Sequence, residues 1–223
     1  HILLLFLSIQ VYGQRYEYIY QNAADSSYNC YVKLFPETED IKGLIIRDFT
    51  NLPDVTKKSR YEFINLAREA GMMVLITNTS TQFPELFTAD SVIRRLDDIV
   101  QEVVKQHDIP KNNIFIGGIS ASGARALRYA QYCAAGKSSI QIRGAFVVDS
   151  PLDLERFYRS ASSHKKNFKA GMLSEAKLMI PLFESLFGGS PSVYPDAYKN
   201  ASVFSHTDSL GGNASLLKHT PIL

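Results

Sequence analysis

The feature that most constrains the fold is a regular alternation of apolar and amphipathic segments between residues 43 and 148. Short apolar runs are typical of buried strands, and the segments between them carry apolar side chains at helical spacing. Strands that alternate with such helices form a parallel sheet that the helices cover on both faces. The sequence therefore predicts an α/β fold with a mostly parallel, doubly wound sheet. The predicted strands lie at residues 16–20, 28–35, 43–46, 72–77, 113–117 and 142–148, and the predicted helices at 57–70, 90–106 and 121–135.

Length and composition indicate one globular domain without a disulfide framework. The 223 residues are 45% hydrophobic and 21% charged, which is enough apolar sequence for a core. Two cysteines, Cys30 and Cys133, cannot hold a small disulfide scaffold; they either form one disulfide or remain buried free thiols. The formal net charge is only +2 and no basic stripe is present, which disfavours a nucleic-acid partner.

The sequence gives no reason to expect a metal ion or a cofactor. Its histidine, cysteine and acidic residues do not follow the spacing of zinc or calcium sites. No glycine-rich segment carries the Lys-Ser/Thr pair of a phosphate-binding loop.

Both ends of the chain suggest that the sequence is a fragment. The apolar run Ile2–Ile9 is too short to span a membrane, and the small residue Gly13 stands where a signal peptidase would cut. We interpret residues 1–13 as a partial secretory signal peptide, which predicts a secreted or periplasmic protein; a buried N-terminal strand or helix is the alternative. The chain stops at Pro221–Leu223 inside a predicted apolar strand, so we expect the C-terminal strands of the sheet to be missing.

The segment 151–220 is long for a simple connection between strands. It contains predicted helices at 152–161 and 172–187, the second broken at Pro181. Such a segment is either a helical cap or insertion over a site, or a pair of helices that packs against the core.

One motif carries chemistry, and it lies where a predicted strand meets a predicted helix. In open parallel sheets the working site lies at the carboxyl ends of the strands, and Ser120 follows the strand at 113–117. The run Gly118-Ile119-Ser120-Ala121-Ser122 resembles the nucleophile elbow G-x-S-x-G of the α/β-hydrolases. It departs from that pattern because Ser122 stands at the second glycine and Gly123 follows it. We interpret Ser122 as a small packing substitute for glycine.

The resemblance implies an α/β-hydrolase-like domain over residues 14–223 and a role for several residues. Ser120 would be the nucleophile of an acyl-enzyme mechanism, and the backbone N–H of Ala121 one donor of the oxyanion hole. The second donor would be the N–H of Phe49 or Thr50, although the glycine-rich signature of lipases is absent there. A structural tight turn is the alternative for the motif.

In that family the acid and then the histidine follow the serine in the chain. The resemblance places both beyond Leu223. Among residues present, Asp149 directly follows a predicted strand and is a minor candidate for the acid, with a turn or cap as its alternative. His206 lies in a loop segment and is a weak candidate for the base, whereas His107 and His219 precede strands and stand at the wrong edge of the sheet.

The expected function is that of a secreted serine hydrolase that cleaves an ester or peptide bond of a small-molecule or peptide substrate through Ser120. A noncatalytic binding protein on the same fold is the main alternative, and an acyltransferase that uses the same serine is another. Without its base the fragment alone is expected to be inactive.

Overall fold

A computed structural model describes residues 15–21, 29–48, 52, 54, 62–80, 89–163 and 169–223. The described residues form six strands at nearly the predicted places, and the first and last of these strands match their predicted bounds. In chain order the strands are β1 Tyr16–Tyr20, β2 Cys30–Leu34, β3 Gly43–Asp48, β4 Met72–Asn78, β5 Ile114–Ile119 and β6 Ile142–Val148.

The helices of the alternating segment are also found, and two further short helices were not predicted. The predicted helix at 57–70 is described only from Glu62, since residues 55–61 lie outside the described part. The two unpredicted elements are α6 and a 3₁₀ helix near the end of the chain. The helices are α1 Glu62–Glu69, α2 Asp90–Gln106, α3 Ala121–Ala134, α4 Leu154–Ser163, α5 Ala170–Phe187, α6 Pro195–Ala201 and the 3₁₀ helix Gly212–Leu217.

The strands form one sheet in the order β1-β2-β4-β3-β5-β6. The four strands from β4 to β6 in this order run parallel to one another. The pairs β1–β2 and β2–β4 are antiparallel and add two strands at one edge. At the other edge Ile222 makes an isolated parallel bridge with Ala145 of β6. The predicted α/β class with a mostly parallel sheet is therefore confirmed.

Helices cover the two faces of the sheet, as the alternation of its side chains requires. Leu44 and Ile46 of β3 pack in the larger core with α2 and α3, whereas the intervening Ile45 packs against the opposite cluster with α1. In β4 the same alternation separates Met73 and Leu75 from their neighbours. All four side chains assigned to the larger core are fully buried.

Helices α4, α5 and α6 pack together around a separate apolar cluster of Leu154, Met179, Phe183 and Tyr198. The predicted break at Pro181 is wrong, because α5 continues through this residue. Proline removes one backbone donor, but Pro181 and Lys177 are both exposed, so the Lys177 carbonyl that loses its partner can bind water.

Both cysteines are buried free thiols, so the alternative without a disulfide is correct. Burial raises the pKa of the Cys133 thiol to about 12, which keeps it protonated and unreactive. Within the described part of the chain, no helix combines the length and the apolar character needed to cross a membrane.

Candidate active site

Ser120 links β5 to α3 in a backbone conformation that few residues adopt. Its φ is 55° and its ψ is −132°, outside the regions that L-residues normally occupy. Two backbone contacts fix it there: the Ser120 N–H donates to the Val148 carbonyl (2.9 Å), and the Ser120 carbonyl accepts from the Gly123 N–H (3.0 Å). Strain of this kind persists only where the surroundings enforce it, and it is concentrated at functional sites.

The Ser120 hydroxyl is not used to stabilise the helix that it precedes. Serine is a favoured N-cap because its hydroxyl accepts a hydrogen bond from an N–H of the first turn. Ser120 occupies the N-cap position of α3, yet its side chain makes no capping hydrogen bond. The residue is exposed at the carboxyl edge of the sheet. An exposed serine that does not cap its own helix leaves its hydroxyl available for chemistry.

Two glycines allow β5 and α3 to approach each other around Ser120. A Cβ on Gly118 would lie 2.6 Å from the Ser122 carbonyl carbon and oxygen. A Cβ on Gly123 would collide with Ser150 Oγ and lie 2.9 Å from the Gly118 carbonyl oxygen. Ser122 is buried at the same contact, as expected for a small packing residue. The close approach therefore depends on Gly118 and on Gly123. Gly123 stands one position after the place of the second glycine in the motif G-x-S-x-G.

The predicted oxyanion donors are only partly within the described residues. Ala121 is the first residue of α3, so its N–H has no partner inside the helix and lies at the positive end of the helix dipole. Phe49 and Thr50 lie outside the described residues. The preceding residue, Asp48, ends β3, and β3 is the direct neighbour of β5 in the sheet.

Asp149 lies directly after β6, as predicted, and is exposed. Its φ is 48°, a left-handed conformation that aspartate tolerates in turns. The turn is held close to the elbow, because the Val148 carbonyl accepts both the Ser120 N–H (2.9 Å) and the Ser150 hydroxyl (3.2 Å).

His206 is held by a carboxylate that the sequence did not single out. His206 Nδ1 lies 2.6 Å from Asp153 Oδ2, and the His206 backbone N–H donates to the same oxygen (2.9 Å). The other oxygen, Oδ1, accepts the N–H of Arg156 (2.9 Å) in the first turn of α4. Burial alone would raise the pKa of Asp153, but these hydrogen bonds outweigh it and lower the pKa below its ordinary value.

The contacts of the pair support a structural role. Gln131 Nε2 donates to the Val203 carbonyl (2.8 Å), which fastens the segment before His206 to the C-terminal half of α3. Asp153 therefore caps α4 and ties the loop of His206 to it. This aspartate lies inside the helix predicted at 152–161, so the sequence did not anticipate the cap, and only the tertiary structure identifies the histidine, 53 residues later.

The other described histidines lie at the opposite edge, as predicted. His107 directly follows α2 and precedes β5, and its Nε2 lies 3.2 Å from Lys33 Nζ. His219 precedes the short bridge at Ile222. Across the described ranges, no group of three histidine, cysteine or acidic side chains could hold a metal ion.

Comparisons with known proteins identify the fold. No family model matches the chain, and a search of curated proteins found no match. Among solved structures, esterase B from Lactobacillus rhamnosis is similar at 11% identity and a TM-score of 0.58, covering 94% of this chain and 73% of that one. A putative esterase from Staphylococcus aureus matches at 14% identity and a TM-score of 0.54 over 95% of this chain and 73% of that one.

An esterase from the archaeon Pyrobaculum calidifontis matches at 16% identity and a TM-score of 0.53, over 84% of this chain and 61% of that one. At these identities the comparison shows the fold and not the activity. The mostly parallel sheet with helices on both faces agrees with the similarity. The chain has the α/β-hydrolase fold.

Proposed function

We propose that this protein is a serine hydrolase and that Ser120 is its nucleophile. The observation that carries the proposal is the strained backbone of Ser120, with φ 55° and ψ −132°, between β5 and α3. Such a turn exposes the hydroxyl beside the unpaired N–H groups of a helix end, which is the arrangement that acyl transfer needs. Asn29, Asp108 and Asp149 also have a positive φ, but asparagine and aspartate tolerate this conformation in turns, whereas serine does not favour it.

The proposed reaction proceeds in two steps. The Ser120 oxygen attacks the ester carbonyl carbon as its proton passes to a general base, and the Ala121 N–H stabilises the negative oxygen that forms. The bond to the alcohol then breaks, and the alcohol leaves with that proton. Water next adds to the acyl carbon and gives a proton to the base. The bond to the Ser120 oxygen breaks, Ser120 takes the proton back, and a carboxylic acid is released.

We assign the general base to none of the described histidines. His107 and His219 lie at the amino edge of the sheet, and His206 is bound to Asp153, which caps α4. The family order, serine then acid then histidine, supports a base that follows both Ser120 and the acid in the full-length protein. Asp149 stays a minor candidate for the acid.

An ester is the substrate class that we propose over a peptide. The three solved structures compared above are described as esterases, and no feature of the described residues favours a peptide. The fold alone does not specify which ester is cleaved.

The test is hydrolysis of p-nitrophenyl acetate by the full-length protein and its Ser120→Ala variant. Removal of the nucleophile leaves only binding and oxyanion stabilisation, so we expect a loss of about 10³- to 10⁶-fold in kcat. A fluorophosphonate probe should label the wild type and not the variant, because it forms its bond with the activated serine oxygen.

Ser122→Ala is the matched control, since it removes a hydroxyl two residues away at a buried packing position. This control should keep its labelling and most of its activity. Equal hydrolysis by the wild type and Ser120→Ala would contradict the proposal. A wild type that neither hydrolyses esters nor takes the label would favour a noncatalytic binding protein on this fold.

We also propose that the protein is secreted or periplasmic. The support is the apolar run followed by Gly13 within residues 1–13, which lie outside the described residues.

A further inference from the structure

A buried ion pair lies at the carboxyl edge of the sheet, one turn along α3 from the elbow. Asp48 and Arg125 are each only 1% exposed. The Arg125 Nε donates to Asp48 Oδ2, and a second guanidinium nitrogen, Nη2, contacts the same oxygen. An ion pair this deeply buried cannot be explained as a surface contact.

The pair joins three elements of the site. Asp48 is the last residue of β3. Its Oδ1 accepts the hydroxyl of Thr77 in β4 (2.8 Å) and that of Thr79, just after β4 (3.4 Å). Arg125 lies four residues after Ala121, on the same side of α3. One carboxylate therefore connects two neighbouring strands to the first turns of the helix that follows Ser120.

Stability alone does not account for this arrangement. Two buried charges lose their hydration, so an ion pair is often no more stabilising than an apolar pair of similar volume. Burial raises the pKa of the Asp48 carboxyl even though Arg125, Thr77 and Thr79 act in the opposite direction. The buried Arg125 Nη1 and Nη2 both lack a hydrogen-bond partner among the described residues, so Nε alone donates to Asp48. A hydrogen-bonded ion pair fixes the relative orientation of its two side chains, which an apolar pair would not do.

We propose that Asp48 and Arg125 are positioning residues for the hydrolysis proposed above. They fix the start of α3, with Ser120 and the Ala121 N–H, against the end of β3. This inference rests on the proposed function. Oxyanion stabilisation depends on donors placed within a few tenths of an ångström, which explains the use of a directional pair.

The test replaces the ion pair by apolar side chains in the full-length protein. The double variant Asp48→Leu/Arg125→Met leaves neither charge unpaired, but the buried Thr77 and Thr79 hydroxyls lose their acceptor, so we expect its melting temperature to fall by no more than about 10 °C. We expect kcat for p-nitrophenyl acetate to fall about tenfold or more, with KM changed by less than about twofold, because the donors act in the transition state. Labelling by a fluorophosphonate should slow by a similar factor.

Tyr129→Phe is the matched control. Tyr129 lies one turn further along α3, and its hydroxyl donates to another buried carboxylate, Asp97 (2.9 Å), in α2. Removal of this hydrogen bond should lower stability without changing kcat, because Asp97 does not contact β3 or the elbow within the described residues. This control separates general loosening of α3 from loss of the positioning contact.

Thr77→Val provides a second measurement if the double variant fails to fold. It removes only the hydroxyl bond to Asp48, so kcat should fall several-fold, and Thr77→Ser should restore it. A double variant that keeps wild-type kcat, or a Thr77→Val variant that does so, overturns the inference alone. A wild type that neither hydrolyses the ester nor takes the label overturns the proposed function and this inference with it.

Discussion

Two glycines beside Ser120 hold positions where a single methyl group would disturb the elbow. The Cβ of an alanine at position 123 would lie 2.9 Å from the Gly118 carbonyl oxygen, in addition to its collision with Ser150 Oγ. Backbone atoms cannot rotate away as a flexible side chain can, so β5 and α3 would have to separate. The small residues of the motif therefore set the distance between strand and helix.

We expect Gly123→Ala to lower the free energy of unfolding by about 1–3 kcal/mol, as for other overpacked sites. Gly171→Ala is the control, because Gly171 lies in the first turn of α5 and an added Cβ there meets nothing within 4 Å. It should raise stability by up to about 1 kcal/mol, since alanine favours a helix. Urea unfolding of both variants measures this, and equal effects would contradict our account of the elbow.

The sequence alone identified a functional residue only where the residues that mark it are adjacent in the chain. Ser120 could be singled out because the glycine, the serine and the strand-to-helix change are contiguous. Asp48 and Arg125 could not be paired, because they are 77 residues apart in the chain and their contact exists only once β3 and α3 have come together. The same holds for Asp153 and His206.

The start of helix α4 depends on the charge of one carboxylate. The pKa of Asp153 is lower in the folded protein than the ordinary value of 3.8. An acid whose pKa is lowered by folding stabilises the fold at pH values above the unfolded pKa. That contribution is lost as the pH falls through the folded pKa.

We therefore expect Asp153→Asn to lower the free energy of unfolding by about 1–2 kcal/mol near neutral pH. Asparagine can still accept the capping bond, so the difference reports the charge. The difference should begin to shrink as the pH falls below about 4, where the unfolded-state carboxyl takes up its proton, and it should be gone once the pH lies below the lowered pKa of the folded state. Asp196→Asn, in the first turn of α6, is the control and should change little. Urea unfolding across this pH range measures the difference in the free energy of unfolding. A loss of stability that is independent of pH would contradict the prediction.

Among the elements, prediction succeeded for long periodic helices and failed for short polar ones. Helix α2 has the predicted bounds, Asp90–Gln106, because its buried residues recur at helical spacing over four turns. Helix α6 has seven residues and one buried side chain, Tyr198, which is too little for a periodic pattern. Only Pro195 at its first position was a usable signal.

For the whole molecule, the predicted signal peptide must leave the sheet intact when it is removed. Edge strand β1 starts at Tyr16 and pairs with β2 along its full length, and the Arg15 carbonyl accepts the Phe35 N–H (3.0 Å). A mature chain that begins at Gln14 keeps all these bonds.

We accordingly expect the exported protein to begin at Gln14, as mass spectrometry of the mature N-terminus would show. Cleavage beyond Arg15 would remove part of β1 and contradict the proposed boundary. An uncleaved chain that stays inside the cell would contradict the signal peptide itself.

The fold class could be predicted from the sequence, but the order of the strands in the sheet could not. Alternating strands and helices indicated a parallel sheet, and the sheet confirms it. The order of the strands was not predictable, because β2 pairs with β4 and not with β3, and that choice depends on contacts distant in the chain. The oxyanion donors predicted at Phe49 and Thr50 stay predictions.

Under the proposed function, the strained turn at Ser120 sets the requirements of catalysis against those of folding at one position. Glycine adopts a φ near 55° without a steric penalty, whereas a residue with a Cβ there costs on the order of 1–3 kcal/mol. Selection for folding alone would therefore replace the serine, and only selection for its chemistry would keep it. In a related chain that has lost the proposed activity, we therefore expect glycine to be the first replacement at the position of Ser120.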